Sequence, residues 1–115
     1  METSKYVYHS NKWWWGESCD IIRNNGSAIV CVKFDNDFPK VAYICGLSVE
    51  ESYRQMGYGK SMMNEALDLA KLNEKSFARL HVDKTKDWLI EMYEDLGFEI
   101  FSKDEHEYEM IKMLD

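Results

Sequence analysis

The sequence predicts an α/β protein: a mixed sheet, antiparallel in its first part and parallel at its centre, with helices against it. Three observations carry that prediction. β-Prone runs separated by turn signals fill residues 19–49, a helical pattern and a short strand follow from about Lys60, and a second helical pattern leads into a closing pair of β-prone runs. Strand, helix and strand in that order imply a right-handed crossover between parallel neighbours.

The elements follow in chain order. Tyr6-Val7-Tyr8 is at most a short first strand, and the residues from there to Ser18 offer a brief connection or a single helical turn. Cys19-Asp20-Ile21-Ile22-Arg23 and the run 27–34 are rich in β-branched side chains, and Asn24-Asn25-Gly26 between them contains the Asn-Gly step that marks hairpins. A second turn at 35–39 leads into 40–49, a run of Val, Ile, Tyr and Leu suited to a central strand. These strands form an antiparallel meander. Met62, Met63, Ala66, Leu67 and Ala70 then recur at the spacing of one helix face, with Glu65, Asp68, Lys71 and Asn73 pointing elsewhere, so that helix packs on the sheet. A strand at 78–82 and a helix over 85–96 come next. Trp88, Leu89, Met92, Tyr93 and Leu96 form the apolar stripe of that helix, and Gly97 is placed to cap its C-terminus. The runs 98–101 and 108–114 read as a final hairpin around Lys103-Asp104-Glu105-His106.

A chain of 115 residues suits one domain, 1–115, burying roughly 65% of the surface its unfolded form exposes. The 45% apolar content, with abundant aromatics, argues for a packed globule. No apolar run is long enough for a membrane span, and the first residues lack the basic segment and apolar core of a signal peptide, so a cytoplasmic protein is expected. Cys19, Cys31 and Cys45 are odd in number and widely spaced, and His9, His81 and His106 are scattered, which suggests neither a disulfide framework nor a metal site. A net charge of −7, from 14 basic and 21 acidic residues, disfavours nucleic acid and anionic membranes as partners and suits a cationic amine.

Chemistry concentrates at Arg54-Gln55-Met56-Gly57-Tyr58-Gly59-Lys60, between the central strand and the first helix. Backbone N–H groups at a helix N-terminus converge on an anion when glycines leave them accessible, and Arg54 and Lys60 add positive charge. The following Ser61 gives this loop the ending of a Walker A motif, and Leu80-His81-Val82-Asp83 could serve as a Walker B strand. That reading fails at its first residue. Walker A needs a glycine where Arg54 stands, and the chain is short for a nucleotide-hydrolysing domain with helices on both faces of its sheet.

Leu47-Ser48-Val49 followed by the Arg-x-x-Gly-x-Gly loop instead resembles the acetyl-CoA loop of the GNAT N-acetyltransferase superfamily. Tyr93-Glu94-Asp95-Leu96-Gly97-Phe98 is similar to the family's second signature, a helix end carrying a Tyr and closing on Leu-Gly-Phe. The resemblance spans roughly 20–114. It implies an acyltransferase in which Leu47, Ser48, Val49, Arg54, Gln55, Met56, Gly57, Tyr58, Gly59, Lys60 and Ser61 hold acetyl-CoA as acyl donor. It also implies that two central strands splay to admit the pantetheine arm, and that the Val49 N–H polarises the thioester carbonyl. Tyr93 occupies the position that often protonates the departing thiolate.

The acceptor implied is an amine on a small molecule or a protein. An amine with a pKa near ~10.4 is roughly 99.9% protonated at neutral pH, so a base is needed; Glu50, Glu51, Asp83 and His81, at strand ends, are the candidates. Two departures stand out. The family usually carries two helices between its first and second strands, for which this chain has no room, and Lys86 stands where an Asn often contacts the cofactor arm. Those departures support a rival reading, an acyl-CoA-binding sensor or interaction module that catalyses weakly or not at all. Trp13-Trp14-Trp15 cannot all face one core, and an exposed indole there suits an acceptor-pocket wall or a homodimer contact.

Overall fold

The computed structural model describes residues 5–114. Seven strands, β1 (Tyr6–Trp13), β2 (Gly16–Arg23), β3 (Ala28–Asp35), β4 (Val41–Val49), β5 (Phe77–Asp83), β6 (Glu99–Lys103) and β7 (Glu107–Met113), form one sheet in the order β1-β2-β3-β4-β5-β7-β6. Two helices, α1 (Tyr58–Leu72) and α2 (Asp87–Asp95), make the β4-to-β5 and β5-to-β6 crossovers. The mixed α/β architecture is therefore the one the sequence predicts, with antiparallel pairing from β1 to β4 and a parallel β4–β5 pair at the centre.

The N-terminal segment departs from expectation. β1 runs on to Trp13, and Trp14 and Trp15 alone turn the chain into β2, with Trp13 paired to Gly16. No helical turn intervenes. The neighbouring strand supplies the reason: every residue of β1 from Tyr6 to Trp13 has a register partner on β2, so the backbone ladder holds an edge strand whose side chains are mostly exposed.

The core lies on one face of the sheet. Ile21, Val30, Val32, Ala42, Ile44, Ala78, Leu80, Val82 and Met110 alternate with more exposed neighbours and meet Met62, Met63, Ala66, Leu67 and Ala70 of α1, all five buried. On α2 the expected stripe is rotated. Ile90 and Tyr93 are buried, Leu89, Met92 and Leu96 are half-buried, and Trp88 is 62% exposed. Because β4, β5 and β6 run parallel and step in one direction, right-handed crossovers place both helices on this same face. The opposite face, carrying Asp20, Ile22, Ile29, Cys31, Tyr43, Cys45, Arg79 and His81, has no helix over it among the described residues.

Two details of β4 position the site. Its pairing with β5 covers only Val41, Ala42 and Tyr43 against Phe77, Ala78 and Arg79, beyond which the strands part. A register irregularity opposite Ile29 and Cys31, with Gly46 at φ +67°, then shifts the alternation of β4. Val49 therefore pairs with buried Ala28 and packs on the helix side, while Ser48 pairs with Ile29.

Candidate functional site

The chain leaves β4 through one turn of 3-10 helix, Glu51–Tyr53, and reaches α1 through Arg54 to Gly57. Gln55 at φ +67° and Gly57 at φ +78° both adopt left-handed backbone, an alternation that turns successive N–H groups toward one side. Gly57 is the N-cap of α1; no side chain caps it, and the first turn contains no acid. The first helical bond into α1 is donated by Ser61 N–H to the Gly57 carbonyl at 3.0 Å, leaving the N–H groups of Tyr58, Gly59 and Lys60 ahead of the ladder. A Cβ on Gly57 would meet nothing within 4 Å, whereas one on Gly59 would lie 3.4 Å from Met92 Sδ and 4.0 Å from Val49 Cγ2. Gly59 thus lets α1, α2 and β4 approach one another, while Gly57 borders open space.

That space is a cleft of about 720 Å³. Leu47, Ser48, Val49, Arg54, Gln55, Gly57, Tyr58, Gly59 and Lys60 line it, so nine of the eleven residues assigned to the donor come together. Met56 is exposed outside it, and the Ser61 hydroxyl is paired with the Tyr6 hydroxyl. The far wall is α2 and its entry, Lys86, Trp88, Leu89 and Met92. Three of these belong to the stripe expected to be core. An apolar stripe does not distinguish a core from a cleft wall, and the position of Trp88 at the start of α2, facing the loop, is the signal that could have separated them.

Backbone direction orients the strand wall. Glu50 N–H donates to the Ser27 carbonyl at 2.8 Å, so by alternation the N–H and C=O of Val49 turn away from β3 and toward the gap, as do those of Leu47. Arg54 Nε donates to the Val49 carbonyl at 3.2 Å, tethering the guanidinium at the lip. Tyr53 and Tyr58 stack with ring centres 5.6 Å apart, and the Arg23 guanidinium lies 3.9 Å from the Tyr58 ring centre, a further cation beside the loop that sequence reasoning missed.

The catalytic candidates separate. Tyr93 is buried edge-on to Phe98, with ring centres 6.0 Å apart, and does not itself line the cleft. Burial pushes its phenol up to about 12. Leu-Gly-Phe fixes that turn: Gly97 at φ +99° donates to the Glu94 carbonyl at 2.9 Å and Phe98 to the Tyr93 carbonyl at 3.0 Å, a Schellman closure. Glu50 and Glu51 are exposed. Asp83 Oδ1 accepts from the Thr85 hydroxyl at 2.7 Å and the Thr85 N–H at 2.8 Å, which hold its carboxyl below the usual range and make it a weaker base.

His81 is differently placed. Its Nδ1 lies 2.7 Å from the Tyr43 hydroxyl and its Nε2 3.5 Å from Glu109 Oε2, which also accepts from Arg79 Nη2 at 2.9 Å. Burial, with Cys45 next, pushes the Tyr43 phenol above its ordinary value, so it stays protonated at neutral pH, and the tautomer of His81 sets which of the two donates. The tryptophans lie elsewhere. Tyr6 marks the loop end of β1 and Trp13 the other, roughly 23 Å away along the strand, so none is a wall of the cleft. Trp13 stacks on Trp15 and donates to Ser18 Oγ at 2.8 Å, while Trp14 is 93% exposed. Among the described residues no group of three His, Cys, Asp or Glu is placed to hold a metal ion, and no helix is long and apolar enough to cross a membrane.

Residues 2–98 match the family model described as the acetyltransferase (GNAT) family. No curated protein matches the chain. Among solved structures, a Bacillus subtilis acetyltransferase in complex with CoA is similar at TM-score 0.74 and 16% identity, over 88% of this chain and 78% of that one. Ard1 from Thermoplasma volcanium is similar at TM-score 0.73 and 21% identity, over 89% and 73%. The ribosomal-protein-S18-alanine N-acetyltransferase from Escherichia coli is similar at TM-score 0.72 and 16% identity, over 99% and 72%. At these identities the likeness is one of fold.

Proposed function

Since the chain belongs to the GNAT acetyltransferase family, we propose that it transfers an acetyl group from acetyl-CoA to a primary amine by direct attack. One observation carries this reading: a single cleft joins the uncapped N-terminus of α1 to the last residues of β4, Leu47 to Val49, which lie beyond its pairing with β5. Its residues fit the donor. The first turn of α1 has no acid to repel a pyrophosphate, Gly57 leaves its N–H groups uncovered, and Arg54, Lys60 and Lys86 bring cations to the same cavity. The thioester makes the acyl carbon electrophilic. Leu47 and Val49 N–H groups would bind the pantetheine amides and the carbonyl oxygen, in the manner of an added strand, and stabilise negative charge as it develops there.

Tyr93 would act by hydrogen bonding. A phenol pushed up to about 12 transfers its proton uphill to a thiolate, whose acid has a pKa near ~8.5, but donates a hydrogen bond throughout the neutral range. Tyr93→Phe should leave acetyl-CoA binding intact and lower turnover by ~10²-fold; unchanged turnover removes Tyr93 from the mechanism. Trp14, at the far end of the sheet, is left for a second copy of the chain or another protein.

The rival reading, a CoA-binding module without efficient catalysis, draws support from Tyr93 standing outside the cleft lining. Incubating the protein with acetyl-CoA and a panel of primary amines, and following acetylated product by mass spectrometry, separates the two. Product supports the enzyme. A thermal shift with acetyl-CoA but no product supports the module, and neither response refutes both.

A further inference from the structure

The sheet face opposite the helices holds two of the three cysteines side by side. Cys31 of β3 and Cys45 of β4 are register partners and both are half-buried, whereas Cys19 is buried in the core on the helix side. The bond from the Glu50 N–H to the Ser27 carbonyl sets the alternation along β3, so the main-chain groups of Cys31 face β4 and the two cysteines form a hydrogen-bonded pair, with Cα atoms about 5.5 Å apart. A disulfide spans Cα separations of about 4.4–6.8 Å. Side chains directly opposite one another on an antiparallel pair leave from the same face, and no described helix covers this one. Gly46 follows Cys45, and a Cβ there would lie 3.9 Å from Cys31 Cβ, so the glycine leaves that side of the pair uncovered. The two thiols differ in reactivity. Cys31 stands between Asp20 on β2 and Cys45 on β4, and burial first, then these two neighbours, push its thiol up to about 12. Cys45 lies two residues beyond Tyr43, where the β4–β5 pairing ends, and has no register partner on β5.

We infer that Cys31 and Cys45 are a modification site, a dithiol that a low-molecular-weight disulfide converts into a cross-strand disulfide. The Cys45 thiolate attacks one sulfur of the oxidant and forms a mixed disulfide, releasing a first small thiolate, which takes up the proton that Cys45 lost. Cys45 then carries no ionisable thiol to oppose a charge on its neighbour. Cys31 gives its proton to solvent and attacks the Cys45 sulfur, and the second small thiolate leaves and is protonated. Two protein thiols and one small disulfide thus become one protein disulfide and two small thiols, so the protein gives up two electrons and two protons. Cys19, on the other side of the sheet, takes no part. This site is independent of the acetyltransferase reading.

The test exposes the folded full-length chain to glutathione disulfide at pH 8, quenches with acid, alkylates the remaining thiols in urea and reads intact mass and linked peptides by mass spectrometry. Wild type should lose two hydrogen atoms, retain one alkylatable thiol at Cys19 and yield the Cys31–Cys45 linked peptide, and dithiothreitol should restore all three thiols. Cys31→Ser should instead accumulate a glutathione adduct on Cys45, and Cys45→Ser should gain an adduct on Cys31 ~10-fold more slowly than Cys31→Ser gains its own. In the urea-unfolded wild type, Cys19 should enter the pairings. The wild-type result needs no variant, so it stands even where a serine variant fails to fold. Three free thiols after exposure, a lasting glutathione adduct on wild type, or a link to Cys19 in the folded chain overturns the inference. So does the same selectivity in urea, or an adduct on Cys31 of Cys45→Ser that forms as fast as the one on Cys45 of Cys31→Ser.

Discussion

Replacing Gly16 by Ala tests the β1–β2 hairpin that stands where the family usually has helices. A Cβ at Gly16 would lie 2.0 Å from the Phe34 carbonyl oxygen and 3.2 Å from the Asn36 nitrogen, both backbone atoms, and Gly16 has φ +151°. The Asn36 N–H also donates to the Trp15 carbonyl at 2.8 Å, so this corner cannot open without losing that bond. Positive φ costs ~1–2 kcal/mol for an L-residue, and each broken hydrogen bond ~0.5–1.5 kcal/mol. With the displacement of β3 added, Gly16→Ala should cost ~3–5 kcal/mol. Gly26 is the control, since at φ +74° its Cβ would meet nothing within 4 Å and only the backbone term of ~1–2 kcal/mol applies. At ~4 °C per kcal/mol for a domain of this size, Tm should fall by ~12–20 °C for Gly16→Ala and ~4–8 °C for Gly26→Ala. Circular dichroism melts measure both. If Gly16→Ala melts no lower than Gly26→Ala, the close approach of β2 to the end of β3 is refuted.

Three further outcomes follow from the site and its surroundings. Arg54→Gln removes a charge from the lip of the cleft and should weaken CoA binding by ~10–100-fold, with Tm nearly unchanged because the side chain is exposed; equal calorimetric affinities would take Arg54 out of the site. Asp83 is held below the ordinary carboxylate value first by the Thr85 hydroxyl and then by its amide, so its contribution to stability is complete above pH ~5 and is lost as pH falls through the lowered folded value. Thr85→Val should raise the Asp83 midpoint in an NMR titration, and an unmoved midpoint would deny the hydroxyl its role. Burial, with Cys45 and then Asp20, pushes the Cys31 thiol up to about 12, so at pH 8 a maleimide should label it ~10³-fold more slowly than a free cysteine; labelling at the free rate would contradict that burial.

How far these features could be read in advance depended on which physical signal carried them. The inward face of α1 was legible because Met62, Met63, Ala66, Leu67 and Ala70 repeat at helical spacing and pack against a sheet. The loop was legible because Gly57 and Gly59 are needed where backbone is left-handed or where three elements converge. β1 was not. Its burial shows no alternation, since it is an edge strand held by main-chain pairing, and Trp14-Trp15 carries none of the Asn or Gly chemistry that announces a two-residue turn. The stripe on α2 was legible as apolar but not as divided, because one side of it meets the core and the other meets the cleft.

Spacing in sequence could place Tyr43, His81 and Glu109 on faces of strands, but not beside one another. Tyr43 and His81 stand 38 residues apart, and they meet because the β4–β5 register sets Tyr43 against Arg79 just before the two strands separate. That separation has a consequence on each side of the sheet. On the helix side it turns the N–H groups of Leu47 and Val49 toward the cleft, and on the other a phenol, an imidazole and a carboxylate meet beside the last β4–β5 pair. Between β1 and β2 a two-residue turn, Trp14 and Trp15, makes the connection.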